Sequence, residues 1–421
     1  MLLGPSLALN LIKLSSSSSS LPPSSSSSSS STTTSTTSSL LPSSSSSSTS
    51  SSPFLLQQQS YPLPSIPVLH DFVLAGRFLV VFLSPYQARL PSLLRPLLGL
   101  ASLGEMYRWE EGRKGLAWVF EKETLRRVAE VVIDPPFSNY HFVNAWERGE
   151  GGREEGKEGR KNKEEEEAVV LGREGGRQGG EEVVELEVLV AQHRSGREEV
   201  EEQFRDMYHA GFSQGLECET WRYVLRFGYW GGGREGGGVV ADGKKGSGSR
   251  NSGGKEEGRK EDGTRKGELL EAGPLPFAAS SYGYELPTIN PLKVGKEGRY
   301  AYVNALVRDE GFIDSVAKLD LREGGRMEPH RWSVPPGCFA GEAVFVPRGG
   351  GEGGREEDEG YLVFYVFDSR RQASDLVIID AQKMEDPPLA VVHLPVRVPY
   401  SYHGAWTRET FGVGGREGGR A

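Results

Sequence analysis

The stretch YLVFYVF, residues 361–367, contains only aliphatic and aromatic side chains and lies between Gly360 and Asp368. Short runs rich in Val, Phe and Tyr that end at Gly, Pro or Asp are typical of β-strands. Similar runs recur along the chain at Phe78–Leu83, Ala117–Phe120, Val128–Ile133, Val183–Val190, Arg299–Val303, Glu342–Val346 and Leu376–Ile379. Long helical periodicity is nearly absent outside the Leu-rich stretch Leu90–Leu103. The sequence therefore predicts an all-β protein: a sandwich, a barrel or a propeller.

Composition divides the chain into ordered and low-complexity segments. Residues 1–60 are mostly Leu, Pro, Ser and Thr, and residues 148–184 and 231–268 are almost wholly Gly, Arg, Lys and Glu. Such segments bury too little apolar surface to offset the entropy of ordering them. We therefore expect a disordered leader (1–60), one large domain (61–412) interrupted by disordered inserts at 148–184 and 231–268, and a disordered tail (413–421).

Charge and cysteine content exclude several functional classes. The 49 basic and 58 acidic residues give a net charge of −9, so the chain has no overall nucleic-acid-binding footprint. Cys218 and Cys338 are too few for a disulfide scaffold or a Cys-built zinc or iron–sulfur site. No apolar run reaches the roughly 18 residues that a membrane-spanning helix needs.

The first 60 residues also resemble a targeting signal. A short apolar stretch is followed by a hydroxyl-rich tract without acidic residues, which is typical of plastid transit peptides. The arginine that usually accompanies such a peptide is absent, so a low-complexity tail without targeting function is an equal alternative. We take the plastid as the predicted compartment, with a cytoplasmic or membrane-associated protein as the alternative.

Three of the seven histidines have apolar or aromatic neighbours. These are His70 (IPVLHDFVL), His141 (FSNYHFVNAWE) and His403 (VPYSYHGAW). A buried imidazole needs a partner for each ring nitrogen, so such histidines are candidate ligands or hydrogen-bonded core residues. They are far apart in sequence, and a common site requires distant strands to converge, as the inner strands of a propeller do at its axis.

The other histidines are weaker candidates. His193 (AQHRSG) and His330 (EPHRW) lie among charged residues, so we predict that both are solvated. His209 and His393 have no feature that marks or excludes them.

Six segments together resemble the carotenoid cleavage oxygenases and occur in that family's order. They are VLHDFVL (69–74 with its flanking Val68), PPFSNYHFVNAWE (135–147), YELPTINP (284–291), PPGCFAGEAVFVPR (335–348), EEDEGYLVFYVFD (356–368) and LPVRVPYSYHGAW (394–406). The NAWE form is similar to the plant and algal branch, which cleaves carotenoids and epoxycarotenoids. The resemblance extends from about residue 62 to 407.

The resemblance implies a seven-bladed β-propeller with a mononuclear non-haem Fe(II) held by four histidines. His70, His141 and His403 match three of the ligands, and Glu285 and Glu342 match glutamates that accept the ligands' remaining N–H groups. The implied activity is a dioxygenase that uses dioxygen to cleave a C=C bond of a carotenoid or related apolar polyene into two carbonyl (apocarotenoid) products. Aromatic residues near the histidines are candidates for a substrate tunnel, with ordinary core packing an equal alternative: Phe137, Tyr140, Phe142, Tyr402 and Trp406.

One ligand of the family pattern has no counterpart. In the family an HPK-DP segment with the first histidine precedes the HDF motif, whereas no histidine precedes His70. We favour an N-terminally incomplete propeller; a degenerate homologue, or three histidines that hold iron together with water, are the alternatives. A catalytically impaired pseudoenzyme or carotenoid-binding propeller is therefore the alternative function.

An apolar polyene also implies contact with a membrane. The stretch RLPSLLRPLLGLASL combines Arg89 and Arg95 with leucines that could lie at a membrane interface: Leu90, Leu93, Leu94, Leu97, Leu98 and Leu100. A helix buried against the propeller is the alternative, and we favour it slightly.

Overall fold

The protein is described by a computed structural model over residues 8–14, 55–63, 66–88, 98–100, 107–149, 182–193, 218–230, 260, 262–275, 283–308, 312–322, 329–349, 356–399 and 403–407. The regular structure of these residues is β, apart from a 3-10 turn at Pro291–Lys293, so the all-β prediction is confirmed. The strands are β1 (Ala8–Leu14), β2 (Leu55–Pro62), β3 (Ile66–Pro67), β4 (Val73–Ala75), β5 (Phe78–Leu83), β6 (Tyr86–Ala88), β7 (Tyr107–Trp109), β8 (Gly115–Glu121), β9 (Arg127–Ile133), β10 (Asn139–Glu147), β11 (Glu182–His193), β12 (Cys218–Tyr229), β13 (Arg265–Pro274), β14 (Gly283–Thr288), β15 (Tyr300–Leu306), β16 (Ser315–Asp320), β17 (His330–Ser333), β18 (Cys338–Ala340), β19 (Val344–Pro347), β20 (Gly360–Asp368), β21 (Ala373–Asp380) and β22 (Ala390–His393).

Residues 1–64 form one compact unit, in which β1 pairs antiparallel with β2 from Ala8 opposite Pro62 to Leu14 opposite Leu55. The two strands lie at the ends of the segment for which a disordered leader is predicted. The composition of residues 1–60 as a whole is dominated by Ser/Thr repeats. The strand segments ALNLIKL and LLQQQSYP lie outside these repeats, near the two ends of this stretch.

Residues 65–421 form the second unit, which is built from four groups of antiparallel strands. The first group runs β4-β5-β8-β9, the second β10-β11-β12-β13 and the third β14-β15-β16-β17. In the fourth, β20 pairs with both β18 and β19 and continues to β21 and β22. A short parallel pairing of β13 with β9 joins the first two groups into one eight-stranded sheet, and β3-β6-β7 form a separate small sheet.

The first strand of each group carries or adjoins a residue that the sequence singled out. His70 lies just before β4, His141 is on β10, Glu285 is on β14 and Glu342 lies just before β19. Each group then continues away from this strand by antiparallel pairing with the next. The repeated architecture thus brings four short segments, remote in sequence, to one place.

Long runs of consecutive buried residues show that several strands are covered on both faces. Side chains alternate between the two faces of a strand, so an exposed face would leave every second residue accessible. In β11 the last eight residues, Leu186–His193, are all buried, and β5 is buried except at Leu79. Residues of β11 belong to two separate core clusters, one with β5 and β8 and the other with β15 and β16, which a simple two-layer sandwich does not provide.

All eight predicted apolar runs overlap strands, and two strands extend into predicted inserts. β11 begins at Glu182, inside the segment 148–184, and β13 begins at Arg265, inside 231–268. Charged residues of these two segments have partners elsewhere in the fold: Glu182 Oε1 lies 3.0 Å from Arg77 Nη2, and Glu268 Oε2 lies 3.8 Å from Arg226 Nη1. Composition predicted that these charges are solvated, whereas the fold places each beside an arginine.

The predicted membrane-interface stretch lies mostly outside the described residues. Of its leucines only Leu98 and Leu100 are described, and both are exposed. Among the described residues, none lies in a helix of the length and apolarity that crossing a bilayer requires.

A buried ion pair links the third and fourth groups. Lys318 Nζ on β16 lies 2.5 Å from Asp358 Oδ2 in the turn before β20, and both residues are buried. Lys318 Nζ also lies 4.2 Å from the centroid of the Tyr300 ring, and Gln382 Nε2 donates to Asp358 Oδ1 at 3.2 Å. Both charges therefore have partners away from water.

We expect Asp358→Ala to lower the free energy of unfolding by about 3–5 kcal/mol, because it leaves Lys318 buried without its counter-ion. Urea unfolding followed by tryptophan fluorescence measures this change. The matched control is Glu297→Ala, which breaks the exposed pair with Arg322 at 3.9 Å and should cost less than about 1 kcal/mol. Equal losses for the two variants would contradict the prediction.

Candidate metal centre

The structure brings His70, His141 and His403 together. His70 Nε2 lies 3.1 Å from His403 Nε2, and His141 Nε2 lies 3.5 Å from His403 Nε2. One ring nitrogen from each residue lies within 4.8 Å of the other two. The His141 ring is edge-on to both others, with centroids 4.9 Å from His70 and 5.1 Å from His403. Three nitrogen atoms therefore point at a common position.

These spacings fit a metal ion. Nitrogen ligands about 2.1 Å from a metal lie about 3.0 Å apart at a right angle and about 3.4 Å apart at a tetrahedral angle. The Nδ1 atoms of His141 and His403 each face a carboxylate, so the neutral form of each ring carries its proton there and presents a bare lone pair at Nε2. Two lone pairs that face each other at 3.5 Å repel, and a cation between them removes that repulsion. Neutral imidazoles also suit iron.

Glu285 is the buried support of His141. Its Oε2 accepts the His141 Nδ1–H at 2.6 Å and the Leu286 backbone N–H at 2.5 Å, while Oε1 lies 3.7 Å from Cys218 Sγ. Only 3% of the residue is exposed. Leu286 has φ +50°, and the β14–β15 register shifts between Glu285 and Thr288. The register shift is a β-bulge. It interrupts the hydrogen bonds between β14 and β15 at the point where the Glu285 carboxylate reaches the His141 imidazole.

Electrostatics in the site favour an ionised Glu285. Burial opposes ionisation, but the hydrogen bond and charge of His141 and the Leu286 amide outweigh it and lower the pKa of Glu285. Burial likewise opposes the imidazolium form of His141, but the hydrogen bond and charge of Glu285 outweigh it and raise the pKa of His141. Burial and the neighbouring His141 and His403 lower the pKa of His70.

Glu342 supports His403 in a more open setting. Its Oε1 lies 3.3 Å from His403 Nδ1, and its Oε2 accepts the Gly404 backbone N–H at 2.6 Å. The His403 side chain is 46% exposed and the Glu342 side chain 16%. Glu342 therefore fixes both the ring and the backbone next to it, but in contact with water.

Asp71 connects the segment that carries His70 to the strand that carries His141. Its Oδ1 accepts the Phe72 N–H at 2.7 Å and its Oδ2 accepts the Phe142 N–H at 3.0 Å. Sequence reasoning missed this role, although the HDF motif contains the residue. For His70 itself, the described residues provide no carboxylate that accepts an N–H of its ring.

A buried asparagine holds the other end of β10. Asn144 Nδ2 donates to the carbonyl oxygens of Lys293 (3.1 Å) and Lys296 (2.8 Å), and its Oδ1 accepts the Gly295 N–H at 3.1 Å. Gly295 in turn accepts the Gly76 N–H through its carbonyl oxygen. Asn144 therefore ties β10 to the loop after β14 and to the β4–β5 turn. Sequence reasoning missed it because its partners are backbone atoms of remote loops.

A mostly apolar cavity of about 860 Å³ is lined by Asp71 and Phe142, which follow His70 and His141 in sequence. Most of its lining is apolar and includes Phe72, Phe142, Ile289, Leu292, Val344 and Trp406. Of the predicted tunnel residues, Phe142 and Trp406 line it, and Tyr140 contacts His70 edge-on with centroids 6.0 Å apart. Phe137 instead packs in the core against Phe82, and Tyr402 lies outside the described residues.

The other histidines among the described residues, His193, His330 and His393, are not part of this cluster. His330 and His393 are exposed and pair with Glu385 (2.9 Å) and Asp375 (2.8 Å); His209 lies outside the described residues. The prediction that His193 is solvated is wrong: the residue is 6% exposed, at the end of β11. Its charged neighbours in sequence follow the end of the strand, so they do not describe the surroundings of its ring.

The family model of the retinal pigment epithelial membrane protein (RPE65) matches residues 25–408. The chain belongs to the RPE65 family. This membership confirms the resemblance to carotenoid cleavage oxygenases. The chain is 37% identical over 126 residues to the apocarotenoid-15,15'-oxygenase of Synechocystis sp., an alignment that covers 30% of this chain and 24% of that protein.

Plant relatives of the RPE65 family give similar matches. The zeaxanthin 7,8(7',8')-cleavage dioxygenase of Crocus sativus is 39% identical over 144 residues, covering 34% of this chain and 36% of that protein. The 9-cis-epoxycarotenoid dioxygenase NCED1 of Oryza sativa is 39% identical over 137 residues, covering 32% and 21%. These alignments span between about a fifth and about a third of the relatives' own length.

The fold is also similar to a solved structure of the family. The cobalt-substituted Synechocystis apocarotenoid oxygenase has a TM-score of 0.54 with 20% identity, and the match covers 84% of this chain and 56% of that one. The chain thus spans little more than half of the solved structure. At this identity the likeness concerns the fold.

Proposed function

We propose that this protein is a non-haem Fe(II) dioxygenase that cleaves a C=C bond of a carotenoid or related apolar polyene. The observation that carries the proposal is the convergence of three imidazole Nε2 atoms, two of them backed by carboxylates. An apolar cavity lined by Asp71 and Phe142, the residues that follow His70 and His141, supports it. The names of the relatives, which include carotenoid, zeaxanthin and apocarotenoid cleavage enzymes, support the same substrate class. Which polyene and which double bond are cut depend on the shape of the cavity.

His70, His141 and His403 would hold the iron, and when bound the iron supplies the activation of dioxygen. One C=C bond and one O₂ give two C=O groups, so both oxygen atoms enter the products and no external reductant is consumed. Glu285 and Glu342 fix the Nδ1–H tautomers of their histidines, which keeps the Nε2 lone pairs directed at the metal. Phe72, Phe142 and Trp406 line the cavity and would contact the polyene.

We infer that the four antiparallel groups are blades of a seven-bladed propeller in the domain 61–412. The position of His70, His141, Glu285 and Glu342 at the start of the four groups supports this, because inner strands meet at a propeller axis. The division into that domain, the inserts and the terminal segments remains a prediction.

We also propose a plastid location and peripheral contact with a membrane. The chloroplastic relatives of Arabidopsis thaliana and Oryza sativa support the compartment. Membrane contact rests on the low water solubility of the proposed substrate and on the Leu-rich stretch 90–103.

Iron loading tests the proposal. The purified protein is loaded anaerobically with Fe(II), desalted and analysed for metal, then mixed with O₂ and a carotenoid in detergent micelles. We expect near-stoichiometric iron and apocarotenoid aldehydes, detected by chromatography and mass spectrometry. A folded protein that retains no iron but still binds the carotenoid would support the carotenoid-binding propeller instead.

A further inference from the structure

A second histidine and a cysteine lie directly behind the carboxylate that supports His141. His193 is the last residue of β11 and Cys218 the first of β12, and the two are opposite each other in the antiparallel register. Cys218 Sγ lies 3.5 Å from His193 Nδ1 and 3.7 Å from Glu285 Oε1. Both residues are buried. A continuous chain therefore runs from His193 through Cys218 and Glu285 to His141.

The chemistry of these groups gives the chain a direction. The Cys218 S–H donates to Glu285 Oε1, because a carboxylate oxygen accepts hydrogen bonds. The sulfur accepts a hydrogen bond from the His193 Nδ1–H. The opposite arrangement, with S–H donated to His193, would leave the carboxylate oxygen facing sulfur lone pairs.

His193 fits this direction. Burial lowers the pKa of His193, so its ring is neutral and has a single N–H. Its Nε2 is buried and has no hydrogen-bond partner among the described residues. An unpaired acceptor is better tolerated in a protein interior than an unpaired N–H, which places the single proton on Nδ1, facing the sulfur.

We propose that Cys218 and His193 are positioning residues, which hold Glu285 in the orientation that directs the His141 Nε2 lone pair at the metal. The inference rests on the proposed metal centre. Among the described residues, Cys218 is the hydrogen-bond partner of Glu285 Oε1, whereas Oε2 receives both His141 and Leu286. The terminal torsion of a glutamate is soft, so a donor on Oε1 is needed to prevent the carboxylate from rotating.

Cobalt(II) as a paramagnetic probe tests the proposal. In the Co(II)-loaded protein the ligand imidazole N–H protons give NMR signals far outside the normal range, and the most slowly exchanging one belongs to buried His141. We expect Cys218→Ala to accelerate exchange of this proton with solvent and to raise the Co(II) dissociation constant, each by about tenfold, as the loss of one hydrogen bond to a charged group implies. Both readouts are independent of catalytic turnover.

Matched variants separate positioning from core packing. Cys338→Ala makes the same change at a buried cysteine in another core cluster and should leave both readouts unchanged. His193→Asn keeps an N–H donor near the Nδ1 position and should behave like the wild type, whereas His193→Phe keeps the ring volume without a donor and should behave like Cys218→Ala. If Cys218→Ala does not fold, the His193 pair decides the question.

The outcomes distinguish this proposal from the one it rests on. A wild-type protein that binds no Co(II) or Fe(II) would overturn the metal centre and with it the positioning role. A wild type that binds Co(II), with Cys218→Ala indistinguishable from Cys338→Ala or His193→Phe indistinguishable from His193→Asn, would overturn the positioning role alone.

Discussion

Substitution of His141 by alanine is expected to abolish both iron retention and polyene cleavage. The variant removes one of three nitrogen donors, and His141 is the one whose Nδ1–H is bonded to a fully enclosed carboxylate. Loss of a partner behind a ligand typically costs about 10–100-fold in metal affinity, so loss of the ligand itself should cost more than about 100-fold. Metal analysis after desalting and product chromatography measure the two effects.

The matched control is His330→Ala, the same substitution at an exposed histidine that pairs with Glu385 on the surface. Iron content and turnover should stay at the wild-type level in this variant. Thermal unfolding of His141→Ala in the absence of metal shows whether the chain still folds. Cleavage that survives in folded His141→Ala would contradict the assignment of the metal centre.

The fold class was predictable because strands leave a local signature. Apolar runs such as Phe78–Leu83 and Tyr361–Phe367 are rich in β-favouring residues and end at turn residues, so each could be located without its partners. Pairing is different. The parallel contact of β13 with β9 joins two strands that are separated in sequence by β10, β11 and β12, and no local pattern indicates which strand will lie alongside another.

The three converging histidines were predictable from their motifs, but the groups that hold them were only partly so. Glu285 and Glu342 were identified because they match the family pattern. Asp71 and Asn144 act through backbone N–H and C=O groups of remote segments, which sequence does not mark. Cys218 is adjacent to Glu285 only because the β11–β12 register and the position of β14 place it there.

His193 shows how neighbouring residues in sequence can mislead. The charges that follow it suggested a solvated ring, yet the residue ends a strand in which every position from Leu186 onward is buried. Burial is set by the layers of sheet on either side of β11. At the end of a strand, the residues that follow in sequence need not be the ones that surround the side chain in space.

The second large effect is expected at Glu285. Glu285→Gln should weaken iron binding by about 10–100-fold, because the buried carboxylate accepts hydrogen bonds from His141, Leu286 and Cys218. A glutamine places an NH₂ group against one of these donors, so at least one hydrogen bond is replaced by a contact between two donors. Competition with a chelator, followed by metal analysis, measures the change in affinity.

Glu342→Gln is the internal comparison, because Glu342 holds the same kind of position behind His403 but in contact with water. Its bond to His403 Nδ1 is longer, 3.3 Å against 2.6 Å for Glu285 and His141, and water can replace a lost partner there. We therefore expect less than about a tenfold loss of affinity for Glu342→Gln, below the range for enclosed supporting groups. If the two glutamine variants bind iron equally well, burial of the supporting carboxylate does not determine its contribution to iron affinity. If Glu342→Gln loses more affinity than Glu285→Gln, the carboxylate behind His403 contributes more than the one behind His141.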